Sequence, residues 1–210
     1  MKQTTREEAE AAVGVLIGWT GDNPERSGLL ETPARVARAF DEWFAGYAVD
    51  PLALLHKGFA DGDEVKGANL DDYDGFISLR RYGFISTCEH HLARIIGVAD
   101  VIYLPREEYI KHDGPRIVGL SKLGRLVDCF ARRLQVQERL TTQICDALQT
   151  VLNPAGIAVR ISAEHQCMTS RGVHRPGCWT DTQILTGAFR FDPAVHNEIT
   201  ALLGSPSRPR

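Results

Sequence analysis

The sequence predicts an α+β fold in which N-terminal helices precede an antiparallel sheet, with a helical pair set between two pairs of strands. Three observations carry this. Apolar residues recur at helical spacing near the start of the chain and again over 121–152. Between and after those stretches the pattern changes to runs rich in Ile, Val, Tyr and Phe. The resulting order, two helices, two strands, two helices, two strands, lacks the strict strand–helix alternation of a parallel sheet.

The first helix is expected from about Thr5 to Gly18, with Glu7 and Glu8 near its positive end and Val13, Leu16 and Ile17 as its stripe. Gly21-Asp22-Asn23-Pro24 breaks it. A second helix is punctuated by Thr32 as N-cap and Pro33 at the first position, followed by Val36, Phe40, Trp43 and Phe44 before Gly46. Gly58 to Asp74 reads as a loop. Strands are expected over Gly75–Thr87 and Arg94–Leu104. From Ser121 to Leu152 the helical phase slips near Leu134-Gln135-Val136, so two helices with a break are expected there, ended by Asn153-Pro154-Ala155-Gly156. Two more strands follow, Ile157–Cys167 and Thr180–Phe191. In the first, Ile157, Val159, Ile161, Ala163, His165 and Cys167 would share one face. We divide the chain into a helical arm, residues 1–56, and a second domain, residues 57–210.

Composition narrows the function. The 210 residues are 43% hydrophobic and 24% charged, enough for a sizeable core. A net charge of -3 gives no general attraction to nucleic acid or an anionic membrane, so anion binding would need a local Lys/Arg cluster. No apolar run approaches a membrane span, and the charged start (Lys2, Arg6, Glu7, Glu8) lacks a signal-peptide core. A cytoplasmic protein is expected. Five cysteines, an odd count, point away from a disulfide framework and towards metal or catalytic use.

The densest chemistry is Cys88-Glu89-His90-His91. A Cys-x2-His spacing lets two side chains close on one metal, and Cys167 could supply a third ligand from the other strand pair. Two thiolates and an imidazole suit zinc, and three protein ligands leave a position for water. The competing reading makes the cysteines small core residues, and a closed four-ligand site with Cys178 also stands open. His90 and His165 flank the ligands as candidates for proton transfer or as partners that orient them.

A second constellation is Ser121-Lys122-Leu123-Gly124-Arg125. With Ser121 as N-cap, Lys122 and Arg125 would flank a helix N-terminus, which favours anions; with Arg171 they could cradle a polyphosphate, or simply be solvated. Glu138, in Gln135-Val136-Gln137-Glu138-Arg139, either favours a helix dipole or accepts two donors from a guanine edge, with a Gln beside it to read a carbonyl.

In order and spacing, Thr87-Cys88-Glu89-His90-His91, Gly119-Leu120-Ser121-Lys122-Leu123, Gln135 to Thr141, His165-Gln166-Cys167-Met168 and Arg171-Gly172-Val173 closely resemble GTP cyclohydrolase I. The resemblance runs from Thr32-Pro33-Ala34-Arg35 to about Phe189. It implies a tunnelling fold (T-fold), with two helices on one face of an antiparallel sheet, and a decamer of two pentamers with active sites between subunits. It also implies zinc on Cys88, His91 and Cys167, and catalytic roles for His90 and His165. Ser121, Lys122, Arg125 and Arg171 would hold the triphosphate, joined by Arg35, which in the family can come from a neighbouring subunit. Gln137 and Glu138 would contact ribose and guanine. The implied reaction opens the guanine imidazole ring of GTP, with water attacking C8 while His165 protonates N7, and gives formate and 7,8-dihydroneopterin triphosphate.

Two features depart from the family pattern. The connection Arg106–Gly114 is longer than usual, and Asp100 interrupts an apolar strand as a water-facing or subunit-contact position. Cys129 and Cys145 read as structural. A base deaminase would need a C-x-x-C that is absent, and a non-catalytic nucleotide- or pterin-binding member of the fold is the remaining alternative.

Overall fold

The computed structural model describes residues 4–56, 75–106 and 117–204. The expected loop at Gly58–Asp74 and nearly all of the long Arg106–Gly114 connection lie outside them. The chain divides into two compact units, Met1–Ala45 and Gly46–Arg210. No helix among the described residues is long and apolar enough to cross a membrane.

In the first unit, helix α1 (Arg6–Trp19) is started by a capping box: Thr5 Oγ1 accepts from the Glu8 N–H, and the Glu8 carboxylate accepts from the Thr5 N–H. Helix α2 (Thr32–Trp43) packs against it. It begins one residue earlier than the punctuation suggested, with Glu31 at the cap and Pro33 second in the helix. Proline is harmless there because first-turn N–H groups have no partner in the helix.

The second unit contains a five-stranded sheet. Its strands are β1 (Ile77–Cys88), β2 (Arg94–Leu104), β3 (Leu134–Gln135), β4 (Gly156–His165) and β5 (Trp179–Leu185), in the order β3-β1-β2-β4-β5. All neighbours are antiparallel except β3, which runs parallel to β1 for two residue pairs. Helices α4 (Leu120–Ala131) and α5 (Gln137–Leu152) cover one face, with the short α3 (Pro51–His56) packed on both. Leu123, Leu126, Phe130, Leu140, Ile144 and Leu148 meet Val101, Tyr103, Ile157, Val159 and Ile161 in the main core. The expected phase slip is real: the chain leaves α4, forms β3 and enters α5. Asn153, in the left-handed conformation, closes α5. This α+β arrangement agrees with the T-fold of the GTP cyclohydrolase I pattern.

Four expectations are corrected. Strand β4 ends at His165, and Cys167 rides on a helical turn, α6 (Gln166–Thr169), rather than on the strand face. Strand β5 ends at Leu185, and the chain continues as α7 (Ala188–Phe191) and α8 (Pro193–Gly204). Gly187 explains the stop: its φ is +53°, and a Cβ there would lie 2.0 Å from the Ala155 carbonyl oxygen, so an extended run with side chains cannot pass. Phe189, Ile199 and Leu203 then pack on Ile102 and Ala158, burying the second face of the sheet locally. Ser121 is the second residue of α4, with Gly119 at the cap and no side-chain capping bond.

Asp100, the fourth, is 1% exposed, and its carboxylate accepts the Arg81 backbone N–H at 2.8 Å. Arg81 has φ +56°, within the bulge where the β1–β2 register shifts between Leu79 and Tyr82. The buried acid therefore secures a bulge instead of meeting water.

Candidate active site

Three segments converge at one end of the sheet: the end of β1, the end of β4 and the start of α5. Cys88 closes β1 and is 4% exposed. Its N–H donates to Ala93, the Leu92 N–H returns to the Cys88 carbonyl, and the Glu89 N–H donates to Gln135 on β3. Leu92 takes φ +54° to complete this tight turn. The turn brings His91 back over Cys88, with Sγ and Nδ1 3.8 Å apart. On the other side, His165 pairs with Ile95 across β2–β4, and the α6 turn swings Cys167 inward.

The ligand atoms of Cys88, His91 and Cys167 all lie within 4.8 Å of one another. Ligands bound at about 2.0–2.3 Å with tetrahedral angles stand roughly 3.3–3.8 Å apart, so this donor set fits a metal after small adjustments. Burial, then the neighbouring Cys88, pushes the Cys167 thiol pKa up. A cation bound beside Cys167 would favour its thiolate instead. Cys178 is exposed and lies outside this group, which leaves three candidate donors among the described residues.

His165 stands beside this corner, half-buried, with Nε2 2.8 Å from Gln137 Oε1. Burial lowers its pKa, opposed by the charge of nearby Glu138, so the ring is uncharged at neutral pH. His90 is 64% exposed at its side chain, 3.9 Å from Glu89. Arg171 places Nη1 3.1 Å from His91 Nε2. Glu138 is exposed on the first turn of α5, while Gln137 beside it is 2% exposed.

The anion-binding candidates are less gathered. Ser121 and Arg125 are exposed and Lys122 half-buried on the first turns of α4. Among the described residues no hydrogen bond or ion pair joins them to the Cys88–His91–Cys167 corner. Arg35 lies on α2 in the first unit and pairs with Glu31. Cys129 and Cys145 are buried in the helices, and burial pushes Cys145 to about 11, well away from a reactive thiolate.

The sequence profile of the GTP cyclohydrolase I family matches residues 9–204, nearly the whole chain. The chain belongs to the GTP cyclohydrolase I family. Its curated relatives include the GTP cyclohydrolase 1 of Maricaulis maris, 48% identical over 95% of this chain and 89% of the relative. That of Hyphomonas neptunium is 44% identical over 97% and 91%, and that of Brucella canis 47% over 90% and 81%. The Cys-His-Cys corner thus lies in a GTP cyclohydrolase I chain.

Sequence reasoning gave no role to two residues inside its own motifs. Arg139 donates to both oxygens of Glu89, at 2.6 and 2.9 Å, clamping the Cys88–His91 turn of this GTP cyclohydrolase I chain to the start of α5. Opposite charges in two motifs were the available signal, but nothing in the sequence set them face to face.

Proposed function

We propose that this chain hydrolyses GTP at the guanine imidazole ring, releasing formate and forming 7,8-dihydroneopterin triphosphate. The observation that carries the reading is the gathered set Cys88, His91 and Cys167, with three donors and His165 alongside, in a chain of this family. The two thiols and one imidazole suit zinc, which with three protein ligands would acidify a water and supply a nucleophile near neutral pH.

The chain's own groups do the rest. Uncharged His165 takes a proton from the attacking water and returns it to N7 of the purine. Exposed His90 serves the later proton transfers. Glu138 accepts from the guanine N1–H and 2-amino groups, and free N–H groups at the start of α5 donate to the ring carbonyl. Ser121, Lys122 and Arg125 offer donors and positive charge to the triphosphate at the start of α4. A guanidinium only donates, so its contact with Arg171 makes His91 Nε2 an acceptor. A metal held through Nδ1, the nitrogen on the Cys88 side, would make Nε2 a donor and leave Arg171 available to an anion. Arg35 joins from a neighbouring protomer in a decamer of two pentamers, with active sites between subunits. The five free cysteines suit the cytoplasm.

Purified protein with zinc and GTP is expected to release formate and the pterin triphosphate in equal amounts. Zinc-loaded, folded protein that releases neither would overturn the reading.

A further inference from the structure

Gln137 is the most thoroughly engaged polar side chain near the site. Its Nε2 lies 3.1 Å from the Ile161 carbonyl oxygen, 2.9 Å from the Thr180 carbonyl oxygen and 3.2 Å from Thr182 Oγ1. Its Oε1 lies 2.8 Å from His165 Nε2. These contacts fix which way the amide faces, its two N–H bonds being shared among three acceptors. Two backbone carbonyls can only accept, so the amide nitrogen must face them; turning the amide over would press its oxygen against both. Thr141 Oγ1 donates to the Gln137 carbonyl, 2.8 Å away, so in the 2.7 Å contact between Thr141 and Thr182 it is Thr182 that donates. Thr182 then accepts from Gln137 Nε2. The amide oxygen is left to His165, whose Nε2 must carry the hydrogen.

We propose that Gln137 is a positioning residue: it holds His165 as the Nε2–H tautomer and leaves the Nδ1 lone pair as the ring's only acceptor. The proposal rests on the GTP hydrolysis reading for its catalytic meaning, and on the hydrogen-bond network alone for the tautomer. The network ties the ring to α5, β4 and β5 at once, so the orientation of His165 is set by the sheet. It also separates two neighbours. Glu138 is exposed and free to meet a nucleotide, whereas the Gln137 side chain is 2% exposed with its amide already committed. Gln137 contributes to the reaction through His165 and not by touching ribose or base with its side chain.

The test uses zinc-loaded protein labelled with 15N in its histidine rings, with His165 assigned by comparison with a His165→Gln variant. In the wild type the long-range 1H–15N spectrum is expected to show a protonated Nε2 and an unprotonated Nδ1. The reverse tautomer would overturn the proposal. Gln137→Met, of similar length but without the amide, is expected to mix the tautomers and to lower kcat on the order of 10²-fold. Its KM for GTP should stay within about threefold and its zinc content unchanged. A rise in KM with kcat preserved would make Gln137 a nucleotide contact and sink the idea. Should Gln137→Met fail to fold, the wild-type spectrum still decides. Should the wild type turn over no GTP, the reaction reading fails while the spectrum judges Gln137 separately.

Discussion

The corner holding Cys88, His91 and Cys167 and the start of α4 holding Ser121, Lys122 and Arg125 are built on opposite plans. In the first, ligand atoms lie within 4.8 Å, and each supporting segment is tied down by a turn, a strand pair or the Glu89–Arg139 clamp. In the second, charged side chains stand on a helix start with no bond that fixes them to the corner among the described residues. On the proposed reaction, the contrast teaches that groups acting on reacting atoms are preorganised within the protomer, where small misplacements are costly. On that reading, the groups proposed to hold the flexible, charged triphosphate are left to be ordered by it.

Substitutions should separate the two plans by size of effect. Cys167→Ala removes a ligand and should abolish tight zinc binding, with turnover falling by at least about 10³-fold. Metal analysis beside a formate assay would show this, and retained activity without zinc would break the comparison. Glu138→Gln should lower kcat/KM for GTP about 10²-fold, the scale of a charge-assisted pair of hydrogen bonds. The loss should be much smaller for inosine triphosphate, which lacks the 2-amino donor; equal losses would remove Glu138 from the guanine edge. Lys122→Ala should raise KM about tenfold with kcat nearly unchanged and a weaker salt dependence, as expected of a charge that solvent still screens. A fall in kcat alone would place it in the preorganised region instead.

The smallest effect concerns the clamp. Hydrogen bonding from Arg139 holds the half-buried Glu89 carboxyl below the usual carboxylate range. Its folded pKa being the lower one, the clamp's contribution is present above the unfolded pKa and lost as pH falls through the folded value. Glu89→Gln should therefore melt slightly earlier than wild type at neutral pH, and the difference should vanish in acid. A difference independent of pH would assign the effect to packing.

Much of this was legible in the sequence because it depends on local pattern. The α4–β3–α5 break showed as a phase slip, and the Cys88 and Cys167 segments stood at strand ends. What misled was punctuation. Ala188–Phe191 has the aromatic look of a strand, and only the approach of Gly187 to Ala155 reveals why it cannot be one. Ser121 resembles a cap, but Gly119 takes that place. Asp100 read as a water-facing or subunit-contact position because no sequence pattern announces a bulge 19 residues away that needs its carboxylate. Gln137 and Glu138 could not be told apart from spacing alone, since helix phase decides which is buried.

The central claim is that one metal corner per chain performs the reaction. Zinc titrated into metal-free protein, with formate release from GTP followed at each step, tests it most directly. The account predicts a rate that rises linearly and levels off at one zinc per chain. Full formate release before any zinc is added, or no release at saturation, would contradict it.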